Sequence, residues 1–256
     1  MTNSIALVTG AAGGIGAAVV RRLAERGTPV AAVDRDEKAL HRAVADLTAD
    51  GLPVRGYPAD VADPAAATPL VDAVERELGP VDQLVNAAGV LRLGPVRDFT
   101  TEDWVTTFAV NVNGVFHMSR AVVDRMIPRG RGALVTVASN AARTPRAGMA
   151  AYAASKAAAT QFTKSLGLEV ARYGIRCNLV APGSTDTPML RSMWHDESGP
   201  RATLAGDPEA FRTGIPLKKL ARPEDIAEAV LFLLSDRAGH ITLHDLTVDG
   251  GAGLGA

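Results

Sequence analysis

Tyr152 and Lys156 stand four residues apart in an alanine-rich run, TPRAGMAAYAASKAA, that starts at Thr144. On a helix, positions i and i+4 share one face, so a phenol and an ammonium would lie side by side. A tyrosine with its ordinary pKa of about 10 is a poor base at neutral pH, and an adjacent cation favours the phenolate by about 1.4 kcal/mol per pKa unit. A fall of about two or three units would make it a usable base. Ser139, thirteen residues before Tyr152, adds a hydroxyl that could hold the same substrate oxygen. Asn111, within FAVNVNGVF, could tie a water to the lysine and complete a proton path. A tyrosine and a lysine at this spacing more often form a surface pair. A serine at a strand end and a glycine turn at the start of the chain shift the reading toward catalysis.

That glycine turn is TGAAGGIG at 9–16, with Gly10, Gly14, Ile15 and Gly16 closing a strand and opening a helix. Glycines there allow a tight turn and let backbone N–H groups at a helix N-terminus approach a pyrophosphate. Asp34, eighteen residues beyond Gly16, ends the second predicted strand. Its carboxylate could accept from the adenosine ribose hydroxyls and would repel a 2′-phosphate, which favours NAD over NADP in spite of neighbouring Arg35. Asp60 and Val61 follow the third strand and could flank the adenine. NAAG at 86–89 follows the fourth, offering Asn86, Ala87 and Gly89 to the cofactor.

The elements that must position these residues are legible as short apolar runs alternating with helical segments, the pattern of βαβ units. Strands are expected at 5–9, 30–34, about 53–59, 82–88, 132–139, 175–181 and about 241–248. They show no in/out alternation, as expected when helices cover both faces. Asp63 before Pro64 predicts an N-cap with proline at the first helical position, and Gly79 closes that helix. Pro223, Glu224 and Asp225 open another that carries IAEAVLFLL. Residues 184–214 have no clear period and follow a strand end, which marks a substrate lid. The expected fold is therefore α/β: one doubly wound, Rossmann-type parallel sheet over residues 1–256, with a lid insertion near 184–214.

Length and charge agree with one compact enzyme domain. The chain has 256 residues, 47% hydrophobic, and a formal net charge of −1, which leaves no basic stripe for nucleic acid or an anionic membrane. Cys177 is its sole cysteine, so no internal disulfide can form. The N-terminal MTNSIALVTG runs into a strand without a targeting pattern, and no stretch reaches the ~18 apolar residues of a membrane span, so a cytoplasmic protein is expected. No metal site is expected. His240 and His244 lack a third ligand, His41, His117 and His195 lack partners, and no serine sits in a G-x-S-x-G elbow.

Together, TGAAGGIG, NAAG, Asn111, Ser139, YAASK at 152–156 and PGSTDT at 182–187 resemble the short-chain dehydrogenase/reductase family, over essentially the whole chain. The resemblance implies Tyr152 as catalytic acid/base and Lys156 lowering its pKa and binding the nicotinamide ribose. It implies Ser139 positioning the substrate oxygen and Asn111 supporting the relay. Pro182, Gly183, Thr185 and Thr187 would bracket the nicotinamide end, hydride would go to the B face, and the assembly would be a homotetramer. The apolar C-terminal segment and the helix at 224–235 would supply its covered surface.

Longer stretches, among them LVNAAGVLRLG, VTVASNAARTPRAGMAAY, RCNLVAPGSTDTPM with SMW, and GHITLHDLTVDGGAGLGA, are similar to family members acting on a cyclic dihydro-aryl acid. They imply NAD-linked oxidation of the C3 alcohol of 2,3-dihydro-2,3-dihydroxybenzoate, then tautomerisation to the catechol of siderophore pathways. Such a substrate needs a cation for its carboxylate, with Arg146 first and Arg92 second. Met189, Met193 and Trp194 in the lid could close on the ring. The amino analogue 2,3-dihydro-3-hydroxyanthranilate remains an alternative, because the reacting alcohol is the same. An acyl or carbonyl reductase is disfavoured by Asp34, and a non-catalytic NAD sensor by the presence of all four catalytic candidates.

Overall fold

Alternate side chains of β1 (Ile5–Thr9) leave on opposite faces: Ala6 and Val8 enter one core, Ile5 and Leu7 another. This period of two places apolar residues on both sides, so the strand has no polar face to show. The computed structural model describes residues 5–255, so 1–4 and 256, at the ends of the predicted 1–256 domain, lie outside the described residues.

Among the described residues seven parallel strands form the sheet: β1, β2 (Val30–Asp34), β3 (Val54–Pro58), β4 (Val81–Asn86), β5 (Gly132–Val137), β6 (Ile175–Pro182) and β9 (Asp245–Val248). Their order is β3-β2-β1-β4-β5-β6-β9, so the chain reverses its direction of travel between β1 and β4. In a sheet of this kind, ligands bind outside the carboxyl ends of the strands at that reversal. One face packs against α1 (Gly14–Glu25), α2 (Glu37–Ala49) and α9 (Pro223–Leu234) through Val19, Leu23, Leu40, Ile226 and Val230. The other packs against α3 (Ala67–Glu77), α5 (Gly114–Arg129) and α6 (Ala150–Val170) through Val71, Met118, Val122 and Val170. The helix α4 (Thr101–Phe108) is capped by Thr100, whose hydroxyl accepts from Asp103 N–H at 3.0 Å.

Several predicted boundaries are corrected: the strands expected at 82–88 and 132–139 end at Asn86 and Val137. The helix expected from Asp63 begins at Ala67, because the Asp63 carboxylate accepts from Ala65 N–H at 2.9 Å and closes a turn of its own. The last strand is Asp245–Val248 only, since Leu243 has φ +61°, a left-handed conformation that no strand accommodates. The predicted lid does contain short elements: α7 (Pro188–Arg191), α8 (Gly199–Ala205) and a two-residue antiparallel ladder of β7 (Gly206–Asp207) with β8 (Arg212–Thr213).

Candidate active site

A cleft of 370 Å³ opens at the carboxyl edge of the sheet, along the ends of β1, β2, β4, β5 and β6. The turn after β1 forms its floor. Gly10 has φ +68°, and a Cβ there would lie 2.8 Å from the Ala87 carbonyl oxygen. At Gly16 a Cβ would lie 2.0 Å from the Gly10 carbonyl oxygen, so only glycine lets α1 approach β1 this closely. The helix α1 starts without a capping side chain, and Gly13 at its N-cap has open space where a Cβ would stand. First-turn N–H groups and the positive end of the helix dipole are thereby left for a ligand's phosphates. Thr9 joins the two loops of the edge, its hydroxyl accepting from the N–H groups of Ala87 and Ala88 at 3.1 and 3.2 Å.

Asp34 lines the same cleft, its carboxylate held by Ala12 N–H at 3.0 Å and Asp36 N–H at 3.0 Å. A bare glycine edge, an uncapped helix start and a fixed carboxylate at the end of β2 together fit a nicotinamide dinucleotide.

Further along, the first turns of α6 carry Tyr152 and Lys156 into the cleft opposite Ser139, which follows β5. Lys156 Nζ donates to the Val137 carbonyl at 2.9 Å and lies 5.8 Å from the centre of the Tyr152 ring. Burial pushes the Tyr152 phenol up from its ordinary pKa, with Ser139 acting in the opposite direction. In the cofactor-free protein burial outweighs any depression of the phenol, and the neighbouring Lys156 ammonium, itself desolvated, is drawn down to about 8.

That burial has a thermodynamic signature. With a native pKa near 8 against 10.5 for free lysine, the cost of a buried ammonium is complete below pH 8 and fades as pH rises from 8 to 10.5. Lys156→Met removes that cost, roughly 3 kcal/mol at pH 7, less about 1 for the bond lost to Val137. The cofactor-free variant is expected to melt higher than the parent at pH 7 and to lose that advantage at pH 10. A lower melting temperature at pH 7 would show that burial does not strain this lysine.

Asn111 lies behind the cleft. The chain widens into a π-helical turn at Ala109–Asn113, a distortion common at functional sites, and this turns the Asn111 amide toward α6. Its Nδ2 donates to Ser155 Oγ and to the Val90 carbonyl, both at 3.0 Å, while its Oδ1 accepts from Val90 N–H at 2.8 Å. Ser155 in turn donates to the Tyr152 carbonyl at 2.7 Å, so the asparagine braces the helix that carries the tyrosine.

Of the remaining predicted residues, Gly14, Ile15, Ala87 and Gly89 line the cleft beside the glycine turn. Pro182, Gly183, Thr185 and Thr187 line it after β6, and Arg146, Met189 and Met193 close its far end. Five do not reach it. Asn86 is buried beneath, its Nδ2 donating to Ser119 Oγ at 3.0 Å. Asp60 turns its carboxylate to Ala62 N–H at 2.9 Å, and Val61 packs against Gly114. Arg92 stands outside the cleft and pairs with Asp103 at 3.2 Å on the surface. Trp194 lines a second cleft within the lid, where its Nε1 donates to Thr203 Oγ1 at 3.1 Å, so it packs the lid rather than the ring site. Sequence reasoning missed Arg212, Asn140, Met149 and Leu91, all of which line the main cleft.

The family model for short chain dehydrogenases matches residues 4–198. A 2,3-dihydro-2,3-dihydroxybenzoate dehydrogenase of Bacillus subtilis is 56% identical over 253 residues, covering 99% of this chain and 97% of that protein. One from Escherichia coli is 45% identical over 249 residues, covering 97% and 96%. Among solved structures, a gluconate 5-dehydrogenase from Burkholderia cenocepacia J2315 in complex with NADP and tartrate is similar with a TM-score of 0.91 at 31% identity, covering 100% of this chain and 97% of that one.

Proposed function

The chain belongs to the short-chain dehydrogenase family, and from that premise we propose that it oxidises the C3 alcohol of 2,3-dihydro-2,3-dihydroxybenzoate, giving 2,3-dihydroxybenzoate, with NAD as its cofactor. The observation that carries the reading is the near-full-length 56% identity to a dehydrogenase of that diol, in a chain whose cleft gathers Ser139, Tyr152 and Lys156. When bound, the nicotinamide cofactor accepts the hydride from C3. Tyr152, as phenolate, takes the proton of the C3 hydroxyl while the carbonyl forms. Ser139 donates to the same oxygen and fixes its distance from the phenol. Lys156 holds positive charge beside the phenolate and offers donors to the cofactor ribose. Arg146 holds the carboxylate. The resulting ketone tautomerises, its C2 proton moving to oxygen as the ring becomes aromatic, which draws the oxidation forward.

Asp34 supports NAD over NADP, because a carboxylate fixed by two backbone N–H groups would repel a 2′-phosphate. A homotetramer is part of the same reading. Trp104 and Val105 on α4, Phe116 on α5 and Phe232 on α9 are exposed apolar side chains that subunits would cover. A monomer mass by light scattering at micromolar protein would refute it.

The deciding assay is NADH formation with 2,3-dihydro-2,3-dihydroxybenzoate and 2,3-dihydro-3-hydroxyanthranilate in parallel. We expect kcat/KM at least about tenfold higher for the diol, a discrimination of about 1.4 kcal/mol. No NADH from the diol, or a reversed preference, would end the assignment.

A further inference from the structure

Two guanidinium groups face the substrate end of the cleft. Arg146 comes from the loop between β5 and α6, and Arg212 opens β8 at the far end of the lid. Among the described residues neither makes an ion pair. Burial first, and then the charge of Arg212, disfavour the charged form of Arg146, while Asp249 opposes them. The Nε of Arg212 is buried with no hydrogen-bond partner. Two cations and an unsatisfied donor in a partly dry cleft are costly unless an anion completes them.

One frame holds both arginines. Arg146 donates to Asn140 Oδ1 at 3.2 Å, and Asn140 donates to Asp249 Oδ2 at 3.1 Å. Asp249 Oδ2 also accepts from Gly253 N–H at 2.7 Å, closing a turn at 249–253. From the lid side, Thr213, next to Arg212, donates to the Ala252 carbonyl of that same turn at 2.6 Å. A single C-terminal turn therefore sets where the two guanidinium groups stand relative to each other.

We propose that Arg146 and Arg212 form a two-pronged carboxylate site, in which Arg212 is a specificity-determining residue carried by the lid to the acid group of the substrate. This rests on the aryl-acid reading above and adds to it the residue that makes the acid group count. Planar guanidinium forks suit a carboxylate's paired oxygens. The cofactor's phosphates are provided for elsewhere, at the uncapped start of α1. An acid seated between the arginines pairs with both and so holds the lid to the cleft, whereas a neutral ring gains nothing from either charge.

The test compares wild type, Arg212→Ala and Arg212→Lys on 2,3-dihydro-2,3-dihydroxybenzoate and on the same dihydrodiol without its carboxylate. We expect Arg212→Ala to raise KM for the acid by at least about tenfold, with kcat and the KM of the neutral diol within twofold, and Arg212→Lys to recover part of the loss. The unchanged neutral diol is also the control for folding. Equal changes on both diols, no change on the acid, or a rise in KM confined to NAD would overturn the site. Calorimetric titration with benzoate and with phenol separates this proposal from the reaction itself. If wild type turned over neither diol, the oxidation reading would fall. Benzoate binding weakened tenfold or more by Arg212→Ala, with phenol unaffected, would still uphold the anion site, and unaltered benzoate binding would remove it.

Discussion

Tyr152→Phe is expected to lower kcat by about 10²–10⁴-fold while the dissociation constant for NAD stays within twofold. The phenol is buried at the first turn of α6, and phenylalanine keeps its ring against the same walls, so only the oxygen that exchanges the proton is lost. The pH profile adds an independent reading. Because burial holds the phenol above its ordinary pKa in the cofactor-free protein, ionisation limits the rate from the acid side, and kcat/KM should climb with pH in wild type. In the variant the residual rate has no phenol to ionise and should stay flat over that limb. A variant that kept more than a tenth of the parent's kcat would remove Tyr152 from the proton path.

The second large effect concerns the cofactor. Asp34→Ala is expected to lower kcat/KM with NAD roughly a hundredfold, since hydrogen bonds to a charged acceptor contribute about 1.5–3 kcal/mol each. With NADP the same change should raise kcat/KM, because the repelling charge is gone and Arg35 remains beside the 2′-phosphate. The two cofactors should end within about tenfold of each other. Since Ala12 N–H and Asp36 N–H also lose their acceptor, a fall of a few degrees in melting temperature accompanies the switch. A variant that still preferred NAD by a hundredfold would place the discrimination elsewhere.

Much of this site could be seen in the sequence because its parts depend on local spacing. The glycine turn, Asp34 at a strand end and the four-residue interval from Tyr152 to Lys156 each need only one or two elements to form, and all of them line one cleft. What the sequence hid depends on distant contacts. Arg212 is sixty residues from Tyr152, in a stretch without period, and is brought to the cleft by its ladder with Asp207 and by the tie of Thr213 to the turn at 249–253. Asn140 gave no signal beside Ser139, yet its amide links Arg146 to Asp249. Arg92 and Trp194 suit the site by residue type, but Arg92 stands outside the cleft beside an acidic neighbour on α4, and Trp194 turns to the lid's own helix. At Asn111 the residue was legible and its orientation was not, because a π-helical turn is invisible to a 3.6-residue period.

The two halves of the site differ in what holds them still. Lys156 is fixed to the carbonyl of Val137, and Ala138 N–H donates to the Val180 carbonyl at 2.8 Å, so the reacting groups are anchored to the central ladder between β5 and β6. Arg212 is anchored to a two-residue ladder and one turn. Warming should loosen the second long before the first. The enzyme would then go on oxidising but select less well, and a falling ratio of acid to neutral-diol turnover would register this while the far-ultraviolet dichroism of the sheet held constant.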